Sequence, residues 1–378
     1  MIKVLVVDDS ALMRRRIAEL LGAAGFAVET APNGEEALAR LPVFDPDVVT
    51  LDVTMPGMDG LTCLGRIMVE HPKPVVMVSS LTAAGASATL EALRLGAVEA
   101  VQKPSASSIG AIGETLVDTV RAAAGSRPRR ARGLRERLRL ARARIAGEDF
   151  AASGSPPAAS PAGGSAAPPV APLAAVPSET DEPGIVVVGV STGGPSTLED
   201  ILPLLPADFP WAVVVAQHMP VAFTATLARR LDEISAVRIV EATLPTAVEP
   251  GTVYIARGGA DVELVRRGGR LVVTPVPPAP DALWHPNANR LMRSALRQLP
   301  ASRLIGVLLT GMGNDGAETM AELHRQGGRT IAESEESAVV FGMPQALIQL
   351  GGAGVVLPSE RIAGHMNRMV AAAAKRAG

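Results

Sequence analysis

The chain carries one cysteine, Cys63, in 378 residues. A lone thiol cannot close an intrachain disulfide, and without a CxxC pair there is no cysteine zinc pattern. Aromatic residues make up only 2% while hydrophobic residues reach 47%, so ample cores are built on Val, Leu, Ile and Ala. The formal net charge of −2 gives no global attraction to nucleic acid or to an anionic membrane. No apolar run reaches the roughly 18 residues a membrane span needs. The opening MIKVLVVDDS turns acidic too early for a secretory signal. These absences lead us to expect a soluble cytoplasmic protein with no nucleic-acid partner and no membrane insertion.

What is present repeats. Residues 1–120 alternate short apolar runs with helical patterns, with strands expected at 2–7, 27–30, 47–51, 74–78 and 98–101 and helices near 11–23, 34–40, 59–69, 85–95 and 108–124. Near-continuous apolar strands alternating with helices predict an α/β, doubly wound parallel sheet. Ten arginines follow between Arg121 and Arg144, and residues 151–178 are almost wholly Ala, Pro, Gly and Ser. The first stretch reads as a solvated, partly helical segment and the second as a flexible linker that builds no core. A second α/β pattern begins at Gly184. The expected division is therefore 1–120, a linker over 121–182, and a larger Rossmann-like domain over 183–378.

In the second domain three apolar runs each end in a reactive side chain. IVVVGV leads to Ser191 in GVSTGGP, AVVVAQ leads to His218 in QHMP, and LIGVLLT leads to Asp315 in GMGNDGA. A serine becomes a nucleophile when a base takes its proton, and that base needs a carboxylate to fix its tautomer. Parallel strand ends lie side by side, where open α/β sheets bind ligands. Gly193, Gly194 and Pro195 suit a tight turn into a helix, placing the serine at a helix N-terminus that favours developing negative charge. Taken singly, Ser191 also fits a helix N-cap, and Asp315 a cap on the helix after it. His71, His324, His365 and His285 read as surface or capping histidines.

The first domain has its own constellation. Asp8 and Asp9 follow the first strand, Asp52 ends the third, Ser79 the fourth, and Lys103 the fifth. Three carboxylates on one sheet edge can hold a hard divalent cation such as Mg²⁺. With Lys103 they would neutralise a phosphoryl group arriving on one carboxylate, which a hydroxyl such as Ser79 could report.

That set, from the DD of MIKVLVVDDS through TLDVTMPGMDG and VVMVSS to VQKP, resembles the receiver domain of two-component response regulators. The resemblance implies phosphorylation of Asp52 by a histidine kinase, with Mg²⁺ bound by Asp8, Asp9 and Asp52 and by the backbone of Val53 or Thr54. Residues 183–375 resemble the chemotaxis protein-glutamate methylesterases, whose STGGP, QHMP, LLTGMGNDGA and VVFGMP segments occur here together and in order. That resemblance implies hydrolysis of glutamate methyl esters on chemoreceptors and deamidation of receptor glutamines, without a cofactor in the hydrolase. It maps Ser191, His218 and Asp315 onto the family's triad, and Thr192 and the backbone of Met312 beside the oxyanion. Departures occur at Ala100, where receivers commonly carry an aromatic, and at Arg257, Asp261, Asn287 and Asn289. The last four are expected at the rim of the site, leaving open a protein substrate outside chemotaxis. A non-enzymatic, receiver-gated regulator is the other alternative. The linker cannot transmit force, so we expect the unphosphorylated receiver to cover the mouth of the site through a modest, polar contact.

Overall fold

The computed structural model describes residues 1–79, 83–103, 109–126 and 183–377. The linker expected over 121–182, with its Arg-rich and Ala/Pro-rich stretches, lies outside the described residues from position 127 onward.

The first unit alternates β1 (Lys3–Val7), α1 (Ala11–Ala23), β2 (Ala27–Ala31), α2 (Gly34–Phe44), β3 (Val48–Asp52), α3 (Gly60–Glu70), β4 (Val75–Ser79), α4 (Ala83–Leu95), β5 (Glu99–Gln102) and α5 (Ile109–Ala124). Local chemistry sets the helix starts. The Ser10, Asn33 and Asp59 side chains accept from the backbone N–H groups of Met13, Glu36 and Thr62, each satisfying a donor the helix cannot pair internally. The sheet is parallel with order β2-β1-β3-β4-β5. Its strand ends bring Asp8, Asp52, Ser79 and Lys103 to one edge.

The second unit comprises β6 (Ile185–Val190), α6 (Gly194–Ile201), β7 (Ala212–Gln217), α7 (Val221–Ile234), β8 (Arg238–Ala242), β9 (Thr246–Ala247), β10 (Thr252–Ala256), β11 (Asp261–Arg267), β12 (Arg270–Val276), α8 (Ala288–Gln298), β13 (Leu304–Leu308), α9 (Ala317–Arg325), β14 (Arg329–Glu333), α10 (Met343–Gln349), β15 (Val355–Leu357) and α11 (Ser359–Ala377). Seven strands form a parallel sheet in the order β15-β14-β13-β6-β7-β10-β8. Its centre is aliphatic: every residue of β6, β7 and β13 is buried, and each valine or leucine so placed stabilises the fold by about 1.5–3 kcal/mol relative to exposure.

Two features depart from the sequence reading. An antiparallel sheet, β11-β12-β9, is added to the doubly wound core. The two units also pack together: α4 lies on α6 and α7, and Val339, at 8% exposure, joins an apolar cluster with Val76, Val78 and Val101 of the first unit. This contact has an apolar part that the expectation of a polar interface lacked, Val339 against valines of the first unit.

Candidate active site

Strand register assembles three side chains. Val190 pairs with Gln217 and Gly189 with Leu308, so the residues just past β6, β7 and β13 share one edge. The backbone fixes them further. Ser191 N–H donates to the Thr310 carbonyl at 2.9 Å, and His218 N–H donates to the Val190 carbonyl at 3.0 Å.

Ser191 sits in a tight turn closed by Gly194 N–H on the Ser191 carbonyl at 2.8 Å. Gly193, at φ +80°, is the N-cap of α6. A Cβ there would lie 2.5 Å from Val339, and one on Gly194 only 1.9 Å from Gln217 Oε1; both positions require glycine. The N-cap is thus the glycine, and Ser191 is left free of that duty.

The His218 side chain is buried, at 5% exposure, and its Nε2 lies 2.8 Å from Asp315 Oδ2. The Asp315 carboxylate also accepts from the backbone N–H of Ala288 at 2.6 Å and of Asn289 at 3.0 Å. It therefore caps α8, an element earlier in the chain, whereas the helix directly after it, α9, starts from Gly316. A carboxylate surrounded by donors is an acceptor only. The proton of the neutral imidazole then sits on Nε2, and Nδ1 is the basic nitrogen. Nδ1 is buried and has no hydrogen-bond partner among the described residues. Such a group is costly unless it has a task, and hydrogen bonds between nucleophile and base are often loose without substrate.

Around this trio, Thr192 is buried and its carbonyl accepts from Thr310 Oγ1 at 2.8 Å. The half-buried Met312 has no backbone acceptor for its N–H among the described residues. Gln217 is 1% exposed, and its Nε2 donates to the carbonyls of Ser191 and His218, each at 3.0 Å. It ties the Ser191 turn to the His218 backbone. The sequence reading quoted Gln217 within QHMP and overlooked it; a polar residue ending an otherwise apolar strand was the available signal.

In the first unit, Lys103 Nζ bridges Asp52 Oδ2 at 2.6 Å and Asp8 Oδ2 at 2.9 Å. Thr54 N–H donates to Asp52 Oδ1 at 3.2 Å. Burial raises the Asp52 carboxyl above its ordinary value, with the Lys103 ammonium opposing. Oxygens of Asp8, Asp9 and Asp52 lie within 4.8 Å of one another, a hard-oxygen set that suits Mg²⁺. Ser79 is buried at the end of β4.

Comparison with known proteins bears on the whole chain. Residues 186–366 match the family model described as CheB methylesterase, and residues 4–109 match the response regulator receiver domain. The chain is 54% identical to the protein-glutamate methylesterase/protein-glutamine glutaminase 3 of Rhodospirillum rubrum, over 97% of this chain and 96% of the relative. It is 48% identical to the corresponding protein 2 of Rhodopseudomonas palustris, over 96% of each. This chain belongs to the protein-glutamate methylesterase/protein-glutamine glutaminase family.

Within this methylesterase family the departures noted in the sequence acquire positions. Arg257 is exposed. Asp261 is not at the rim: it is 1% exposed and accepts from His285 Nδ1 at 2.9 Å, Asn287 N–H at 2.8 Å, Ala279 N–H at 2.9 Å and Arg290 Nη1 at 2.8 Å. Burial works against its charge, but these donors outweigh it and hold the carboxyl below its ordinary value. His285, expected as a surface or capping residue, is partly exposed and hydrogen-bonds the buried Asp261 carboxylate. Asn287 is the N-cap of α8, its side chain accepting from Arg290 N–H at 2.7 Å. Asn289 Oδ1 accepts from Thr319 N–H at 3.2 Å and Oγ1 at 3.0 Å, joining α8 to α9. Finally, the receiver reaches the site. The Glu99 carboxyl on β5 hydrogen-bonds the Thr192 side chain beside Ser191, and burial pushes its pKa up to about 7. Ala100, where an aromatic was expected, leaves a small half-buried side chain next to that contact.

Proposed function

We propose that this chain hydrolyses glutamate methyl esters on chemoreceptors to glutamate and methanol, and deamidates receptor glutamines to glutamate and ammonia. Ser191 is the nucleophile, His218 the base and Asp315 the orienting carboxylate. The observation that carries the reading is the His218 ring, fixed by Asp315 at Nε2 with buried Nδ1 unpartnered, on the strand next to the one that presents Ser191.

In this scheme Ser191 Oγ attacks the ester carbon and its proton passes to His218 Nδ1. The oxyanion is met by the backbone N–H groups of Thr192, just before α6, and of Met312, in the loop after β13, since preorganised donors stabilise developing charge. The tetrahedral species collapses, the C–O bond to the methoxy group breaks, and the imidazolium returns the proton to release methanol. Water then attacks the acyl-serine with His218 again accepting a proton, freeing glutamate and Ser191. A glutamine follows the same path with ammonia as leaving group.

The receiver is the switch. A histidine kinase is the phosphodonor and Asp52 the acceptor. Asp8, Asp9 and Asp52 would hold Mg²⁺, which when bound neutralises charge during phosphoryl transfer. Lys103 holds the acceptor carboxylate, and Ser79 is placed to meet the phosphoryl group. The unphosphorylated receiver covers the site, a reading supported by the packing of α4 on α6 and α7 and by Glu99 on Thr192. No helix among the described residues is long and apolar enough to cross a membrane.

The test is methanol release from methylated receptor membranes. Ser191→Ala and His218→Ala should each abolish nearly all activity, and the double variant should be no worse than either. Near wild-type release by Ser191→Ala would overturn the assignment.

A further inference from the structure

His218 is gripped on its face as well as its edge. The Trp284 indole stacks on the imidazole with ring centroids 5.5 Å apart and planes 5° from parallel. Trp284 lies in an irregular segment between β12 and α8, where a bulky side chain has no regular backbone to aim it. The aim comes from Asp261. Its carboxylate takes donors from Ala279, His285, Asn287 and Arg290, so it fastens the segment on both sides of Trp284. Arg290 is itself held by Glu263 at 2.7 Å. The neighbouring Leu283 is 89% exposed, so the segment turns Trp284 inward selectively.

We propose that Trp284 is a positioning residue for the base, clamped by Asp261: it fixes the imidazole plane and stabilises the imidazolium formed in each proton transfer. The inference rests on His218 being the base. A cation over an indole face gains about 0.5–2 kcal/mol depending on desolvation, and here the ring is buried. The gain falls on the imidazolium formed in each proton transfer, so its loss is read in kcat. It also accounts for Asp261 and His285: the buried carboxylate and its histidine partner anchor the clamp.

The experiment uses the full chain, activated by a small phosphodonor, with methylated receptor membranes. Trp284→Ala should lower kcat by about 2- to 30-fold with KM within about twofold, and Trp284→Phe should recover most of the loss by restoring a ring. Asp261→Asn should fall between them. A spectroscopic arm is independent of turnover. The chain has two tryptophans, Trp211 and Trp284, so in Trp211→Phe the emission reports Trp284 alone. Protonated imidazole quenches a stacked indole, so emission should titrate with pH, and adding His218→Gln should remove that titration. Unchanged kcat in Trp284→Ala, equal losses in the Phe and Ala variants, or emission indifferent to His218 would each overturn the proposal. Full activity in His218→Ala would instead remove the base assignment, whatever the spectroscopy shows.

Discussion

Glu99→Gln should separate the receiver's grip from the chemistry. In the closed arrangement the Glu99 carboxyl meets Thr192, and burial lifts its pKa from the ordinary 4.5 to about 7. When the receiver moves away the carboxyl regains water and its ordinary value. A raised pKa means the closed state favours the protonated acid. The grip is therefore complete below pH about 4.5, weakens as pH rises through 7, and levels off above it. At 1.36 kcal/mol per pH unit, the rise from 4.5 to about 7 sets a ceiling of about 3 kcal/mol. The half-buried residue keeps some contact with solvent, and discounting for that screening leaves about 1–2 kcal/mol. That is about 5- to 30-fold in the closed-to-open ratio. The assay is the ratio of basal demethylation rates, without phosphodonor, of the full chain and of a fragment beginning at Pro183, measured from pH 5.5 to 8.5. Catalytic titrations cancel in this ratio. For the wild type the ratio should climb with pH by that factor. Glutamine keeps the shape and the hydrogen bond without a charge, so the Glu99→Gln ratio should stay low and flat. A Glu99→Gln ratio that climbs as the wild type does would refute the reasoning, as would a ratio of one throughout.

Other outcomes can be stated from the same contacts. Asp52→Asn should abolish Mg²⁺-dependent labelling by small phosphodonors and hold demethylation at the basal rate, checked by radiolabel incorporation alongside methanol release. Gly194→Ala should cost at least about tenfold in kcat, since its Cβ would lie 1.9 Å from Gln217 Oε1 and must displace the amide that ties Ser191 to His218. Asp315→Asn should lower kcat by orders of magnitude while leaving the fold intact by circular dichroism, because the amide presents a donor to one of three N–H groups that now meet acceptors.

The parallel strands were legible in the sequence because each is an unbroken aliphatic run with a chemical residue at its end. Ser191, His218 and Asp315 follow β6, β7 and β13, and pairing of neighbouring runs brings them together without further information. Asp8, Asp52, Ser79 and Lys103 were legible for the same reason. What escaped depends on contacts that no local pattern encodes. Asp261 and His285 stand on either side of a hairpin, and only the antiparallel sheet makes them partners. Asp315 reads as the cap of the helix after it, yet its oxygens face Ala288 and Asn289 because β13 and α8 pack closely. Trp284 carries no periodic signal in a stretch without regular structure. Glu99 looks like a surface acid until the receiver docks.

The proposed nucleophile, base and orienting acid follow three neighbouring strands at the middle of one sheet, laced together by backbone hydrogen bonds. The three strands are buried throughout, and a close-packed interior resists deformation. If the receiver covers the site as proposed, phosphorylation would have little leverage on how the three side chains align and would set the fraction of time the mouth stands open. On the proposed reading, signal strength is then a duty cycle: graded output arises from how many molecules are uncovered at once.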